Sequence, residues 1–358
     1  MGKNCPENLG ERKNPITILM IGLYENEMNG MKTIQTVLGA IQADELGDVL
    51  CHEHFFWGWP GWQGDSTCAE THEETIEALR SEIESIKAAG IKTVIDGTTN
   101  ETGRDPVLLK KISKEFNINI ICPTGYYNQE YGASMYFKRR RAFGCDVNSE
   151  IKEMYQRELF EEIEKTGIRA GILKLATSPE GMTRYEELFF EAACEIASKN
   201  RDIRIFVHHS SSKGLEQTSQ YFLEHGVYPR QVYLGHAGCS SDIDKQVELA
   251  KAGFYMGYDQ FGMKTHVHQD NEVRLRQFME LIESGCEDKL LISTDRTRHD
   301  LGRPNVYLND KYSQLFITDK WCYLFDFIIP EMEKRGLTSE QRDKILRKNP
   351  AHFLCDAF

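Results

Sequence analysis

The chain has 358 residues, a formal net charge of −12, and 40% apolar and 27% charged side chains. Those proportions are those of a soluble globular protein large enough for one big domain or two ordinary ones. The acidic balance excludes nucleic acid as a main partner, because phosphate binding wants clustered Lys and Arg, and it disfavours an anionic membrane surface.

Near the N-terminus, the apolar run Ile16–Leu23 is short, and Tyr24-Glu25-Asn26-Glu27 follows it instead of a small-residue cleavage pattern. It reads as part of an N-terminal extension over residues 1–32, ahead of one domain over 33–358. No apolar run approaches the length that crosses a bilayer. The ten cysteines are scattered without C-x-x-C spacing, so reduced thiols and a cytoplasmic setting are expected.

From residue 48 onward, short β-branched runs alternate with amphipathic stretches of helical length. The predicted strands are Val49–His54, Thr93–Gly97, Ile118–Pro123, Gly171–Leu175, Ile203–His209, Gln231–His236, Gly253–Gly257 and Lys289–Asp295. Between them the periodicity predicts helices over Glu73–Ala89, Val107–Glu115, Glu150–Lys165, Tyr185–Lys199, Gly214–His225, Ser241–Ala252 and Glu272–Ser284. Trp321–Arg335 and Ser339–Arg347 close the chain. Gly90, Gly167 and Gly226 stand where helices need a left-handed stop. Eight such alternations predict an α/β fold, a (β/α)8 TIM barrel, over the competing open doubly wound sheet. The first strand is not followed by a Gly-rich nucleotide loop, and the chemistry collects at strand C-termini, which a closed barrel brings over one mouth.

That chemistry begins with His52-Glu53-His54. Side chains at i and i+2 of a strand share a face, so the two imidazoles aim at one point. Lys174, His209, His236 and Asp295 stand at the ends of the fourth, fifth, sixth and eighth strands. His52, His54 and Asp295 are expected on one divalent metal ion, and His209 and His236 on a second. Zinc is the first choice, with manganese, cobalt and iron also accepting these ligands. Two cations need a bridging anion, which Lys174 provides only if carbon dioxide has carboxylated it to a carbamate.

The chain resembles the phosphotriesterase family, and its phosphotriesterase-like lactonases, within the amidohydrolase superfamily. The matching stretches include Gly47–His54, Thr93–Asp96, Gly103-Arg104-Asp105, Pro123–Tyr127, Ile168–Lys174, Gly235-His236, Gly257–Gly262, Ser293-Thr294-Asp295 and Asn349-Pro350-Ala351. They run in order through nearly the whole chain. The resemblance implies His52, His54 and Asp295 on a buried metal, His209 and His236 on an exposed one, and carboxylated Lys174 between them. It also implies a homodimer.

His208 and His209 are adjacent, so only one can face the site. If Ile205 and Val207 point into the barrel, His209 does too, and Ser210 follows it as the family pattern prefers; His208 is then a histidine packed under helices. Two metals lower the pKa of a bridging water and polarise the bond it attacks, with Asp295 as the catalytic base. The reaction class is metal-assisted hydrolysis of an ester, lactone, amide or phosphoester.

Substrate identity belongs to the loops. Tyr126, Lys264, Arg296 and Arg298 are the expected substrate contacts, with the basic run Lys138–Arg141 nearby. Such cations on an acidic chain point to a lactonase for sugar lactones, phosphorylated ones included. The bland reading makes these cations structural ion pairs. The alternatives are a phosphotriester or other carboxylester hydrolase on the same site, and a non-catalytic binding homologue. A mononuclear deaminase would not need Lys174. The aromatic run Phe55, Phe56, Trp57, Trp59 and Trp62 reads as a rim or lid, and the Cys51 thiol as packing.

Overall fold

The computed structural model describes residues 32–263, 270–304 and 320–356. An antiparallel hairpin, β1 (Thr33–Thr36) and β2 (Gly39–Gln42), leads in. The barrel strands follow as β3 (Asp48–Trp57), β4 (Ile91–Asp96), β5 (Asn119–Ile121), β6 (Pro123–Gly125), β7 (Ile172–Thr177), β8 (Ile205–His209), β9 (Val232–Leu234), β10 (Tyr255–Tyr258) and β11 (Leu290–Ile292). Neighbours pair in parallel throughout the barrel. β5 and β6 are two halves of one strand position, so the eight predicted strands are all present. Closure comes from His52 N donating to Ser293 Oγ at 3.0 Å and Asp295 N donating to His52 O at 3.0 Å. Beyond that seam, β12 (Thr297–Asp300) pairs in parallel with β3, Thr297 beside His54 and Asp300 beside Trp57.

Helices α1 (His72–Ala88), α2 (Pro106–Phe116), α3 (Met135–Ala142), α4 (Val147–Phe160), α5 (Glu186–Ala197), α6 (Ser212–Glu224), α7 (Ile243–Ala252) and α8 (Asn271–Glu283) lie between the strands. Their ends are written locally. Thr71 and Glu74 form a capping box on α1, and Asp105 caps α2 one residue before Pro106. The basic run at 138–141 lies in α3, with Arg139–Arg141 in its last turn, where the dipole favours cations. α9 (Ile329–Lys334), α10 (Ser339–Asp343) and α11 (Asn349–Cys355) complete the described helices.

The core has two layers, and strand alternation assigns residues to them. Val49, Cys51, Ile95, Ile172, Phe206, Tyr233 and Leu291 fill the barrel, with Phe353 and Leu354 of α11 packed into the same cluster. Leu50, Val94, Leu173, Ile205, Val207 and Leu234 face outward under the helices. Each such side chain contributes about 1.5–3 kcal/mol on burial, so the alternation is strongly fixed. It is broken once. β3 pairs Leu50 with Val94 and then Glu53 with Asp96, so β3 carries one extra residue there. That bulge resets the face: Cys51 still packs inside the barrel, while His52 and His54, not Glu53, turn to the mouth.

Candidate metal centre

His52, His54, Lys174, His208, His236 and Asp295 meet at the C-terminal mouth of the barrel. His52 Nε2 is 2.9 Å from Lys174 Nζ, and both His52 Nε2 and His54 Nε2 are 3.2 Å from Asp295 Oδ1. His236 Nε2 is 3.6 Å from Asp295 Oδ2 and 2.7 Å from His208 Nδ1.

The partners on the far side of each ring settle its tautomer. His52 Nδ1 and His236 Nδ1 donate to the two oxygens of Asp259, at 2.8 and 2.9 Å. His54 Nδ1 donates to Thr98 Oγ1 at 2.9 Å, whose own hydrogen goes to Phe56 O. His208 Nε2 donates to Ser210 Oγ at 3.1 Å, whose hydrogen goes to Thr177 O. Every ring therefore turns a bare nitrogen inward: Nε2 of His52, His54 and His236, and Nδ1 of His208. Burial keeps His52 and His208 neutral, lowering His52 to about 3 and His208 well below its usual value. Burial would raise Asp295, but His52 and His236 beside it hold it well below the usual carboxylate range.

Imidazole lone pairs converging with a half-buried carboxylate are the donor set of a divalent cation of the zinc class, and the residues fit one. His52, His54 and Asp295 each offer an atom within 4.8 Å of the others. His52, His236 and Asp259 also lie that close, but their contact is the Nδ1 hydrogen bonding just described, so Asp259 orients the rings. It accepts from Tyr233 Oη as well, at 2.8 Å. Replacing Asp259 with Asn should admit the wrong tautomer at one ring and weaken metal affinity about 10–100-fold in a chelator competition.

Two expected residues are misplaced by one position each. His209 does not face the mouth: its Nδ1 donates to Gly235 O at 3.0 Å and its Nε2 contacts Thr218 Oγ1 of α6 at 2.7 Å, which leaves no free lone pair. Ile205 and Val207 belong to the outer layer, so His209 follows them outward and His208 follows Phe206 inward. Tyr126 likewise packs against Phe137 and Phe189, away from the mouth. Its neighbour Tyr127 lines the mouth, with its hydroxyl 3.3 Å from His208 Nε2. Arg296 and Arg298 do line it, and Arg298 also pairs with Glu82 at 3.4 Å. Lys264, His266 and His268 lie outside the described residues. The basic run stays away from the mouth, where Arg140 pairs with Glu150 of α4. His299 pairs with Glu70 at 2.6 Å.

Asp259 and Glu53 had no role in the sequence reading. Asp259 directly follows β10, at a strand C-terminus like the other site groups, which is the signal the sequence offers. Glu53 Oε1 accepts from Ser293 Oγ and Thr294 N, and Oε2 accepts from Arg296 N at 2.9 Å, so it grips the turn that carries Asp295. Burial raises its pKa to about 8 against the pull of those donors. Glu53→Ala would strand several buried donors, and a loss of about 3 kcal/mol or more is expected in denaturant unfolding. His236 and Asp295 themselves hold left-handed backbone, φ 60° and 53°. For non-glycine residues that conformation costs on the order of 1–3 kcal/mol and persists where surrounding bonds impose it. Gly97 is needed for space, since a Cβ there would lie 2.6 Å from the His52 ring.

The groups open into a cavity of about 450 Å³, lined by Trp57, Trp59, Tyr127, Arg296, Thr297, Arg298 and Asp300 among others. Phe55 and Phe56 of the aromatic run are buried core, and Cys51 is a buried thiol whose pKa burial pushes far up.

Comparison with known proteins adds three relatives and a family. The model of the phosphotriesterase family matches residues 32–354. A solved structure of a variant phosphotriesterase-like lactonase from Deinococcus radiodurans superposes with a TM-score of 0.85 at 33% identity, covering 90% of this chain and 100% of that one. An aryldialkylphosphatase from Saccharolobus solfataricus is 28% identical over 331 residues, 88% of this chain and 96% of its own. An N-acetyltaurine hydrolase from Xenopus tropicalis is 27% identical over 358 residues, 90% of this chain and 97% of its own.

Proposed function

The chain belongs to the phosphotriesterase family of hydrolases, and from that premise we propose that it is a lactonase acting on sugar lactones, phosphorylated ones included. The three relatives named above act, by their names, on a lactone, a phosphotriester and an amide, so the family alone does not choose the bond. The observation that carries the choice is the wall of the mouth. Arg296, Thr297, Arg298 and Asp300 of one segment line it together with Trp57, Trp59 and Tyr127. A polar, charged wall of this kind suits a hydroxylated or anionic ring better than a bulky neutral triester, and the aromatics suit the ring's apolar face.

Two divalent cations, zinc first, with His52, His54 and Asp295 holding one, His208 and His236 the other, and carboxylated Lys174 between them, would supply Lewis-acid polarisation and a nucleophilic water at neutral pH. The chain's own part is positional. Asp259, Thr98 and Ser210 fix the imidazole tautomers. Asp295, at the mouth beside His52 and His54, is the carboxylate that would take up a proton from the attacking water. Lys174 suits carbamate formation because burial lowers its amine to about 8, leaving a share of nucleophilic free base at neutral pH. We propose a homodimer and a cytoplasmic setting, the latter supported by nine free cysteines among the described residues. Among those residues no helix is long and apolar enough to cross a membrane.

The test is a panel of plain lactones, phosphorylated sugar lactones, a paraoxon-like triester and N-acetyltaurine. The lactonase reading expects kcat/KM for a sugar lactone to exceed that for the triester and the amide by about 100-fold or more, the scale on which a site built for polar groups rejects analogues that leave them unpaired. Turnover of the triester or of N-acetyltaurine without lactone turnover would overturn it.

A further inference from the structure

Gln260, the residue after Asp259, is a buried amide in direct contact with the site carboxylate, and it is 4% exposed. Its Nε2 donates to Asp295 Oδ2 at 3.0 Å, and its Oε1 accepts from Cys239 Sγ at 3.1 Å. Cys239 ends the short turn Ala237–Cys239 that follows His236. The two contacts determine which way the amide points. Burial pushes the Cys239 thiol up to about 12, so it remains S–H and can donate. An S–H donor selects the amide oxygen, which leaves the NH2 for the carboxylate. Gln260 thereby holds Oδ2 of Asp295, while Oδ1 lies 3.2 Å from Nε2 of both His52 and His54.

We propose that Gln260 is the positioning residue for Asp295, with the Cys239 thiol pinning its amide; this rests on the hydrolase reading above. The carboxylate has two rotational choices, and the N–H of Gln260 selects the one that presents Oδ1 to His52 and His54. An amide has no titratable proton.

The test uses the full chain loaded with cobalt(II), read by visible spectrum, metal stoichiometry, kcat and KM. Gln260→Leu is expected to change the cobalt spectrum and lower kcat about tenfold, with KM within about twofold and stoichiometry retained. Cys239→Ala should give part of that loss, and Cys239→Ser, which keeps a donor, should recover most of it. The double variant Gln260→Leu/Cys239→Ala should be no worse than Gln260→Leu, because both act on one contact. A wild-type spectrum and kcat in Gln260→Leu, or additive losses in the double variant, would overturn the proposal. If Gln260→Leu does not fold, the Cys239 pair decides: loss in Ala with recovery in Ser supports it, and no loss in either refutes it. If the wild-type chain turns over nothing in the substrate panel, the hydrolase reading falls, while the cobalt spectra still judge the positioning role.

Discussion

Lys174→Ala is expected to lose bound metal and to lower kcat/KM roughly a thousandfold or more, about 4 kcal/mol of transition-state stabilisation. The fold should survive the change, for a physical reason. Lys174 is 1% exposed, and its hydrogen-bond partner among the described residues is the bare Nε2 of His52, a neutral acceptor that does not balance the charge of a buried ammonium. Burial lowers the amine to about 8, from an ordinary value of 10.5. In the metal-free, uncarboxylated chain the unfolded state thus binds this proton more tightly than the folded state. Stability should then rise as pH climbs from about 8 toward 10.5, and be lowest below that window. Lys174→Ala removes the buried cation and should flatten that rise. Metal analysis, a lactone assay and urea titrations of the apo-protein across the window check all three parts. Full metal content and activity in the variant would remove Lys174 from the site.

The second large effect separates two neighbours. His208→Ala should lose metal and cut activity by a similar factor, while its unfolding temperature in the metal-free state changes little, because the ring borders an open cavity. His209→Ala should behave the other way round. Its ring is buried between Gly235 O and Thr218 Oγ1, so deletion leaves a void and unpaired polar groups, a cost of about 2–4 kcal/mol, with metal content retained. Elemental analysis paired with thermal melts of the two variants gives opposite patterns if the assignment is right, and the reverse pattern would restore His209 to the site.

Those neighbours also show what was legible in the sequence. Alternation said that one of the pair faces in, but not which, since period two has no absolute phase. Had Ile205 and Val207 pointed into the barrel, His209 would have faced the mouth; both belong to the outer layer. An aromatic fills the barrel instead: Phe206 stacks on Tyr233 with ring centroids 4.0 Å apart and lies beside Lys174 in register. Cross-strand register is a tertiary fact, and it decided the matter. Tyr126 and Tyr127 failed for the same reason in a loop, where no periodicity exists at all. The strands, most of the helices and the arrangement of His52, His54, Lys174, His236 and Asp295 at one mouth were readable because each depends on local pattern plus the closure of the barrel. Asp259 and Glu53 were not, because their work is to hold other side chains.

The wall behind the mouth is a strand. β12 runs beside β3 in fixed register, Thr297 with His54 and Asp300 with Trp57. Selectivity in this molecule is therefore quantised. A loop can be lengthened in small increments, but one residue added just before Thr297 would slide the ladder and exchange the faces on which Thr297, Arg298 and Asp300 project. Pairs of residues are the smallest insertion that keeps the same face presented. Divergence toward new substrates along this edge should proceed by replacing side chains in place, or by jumps of two, with the metal-holding groups undisturbed.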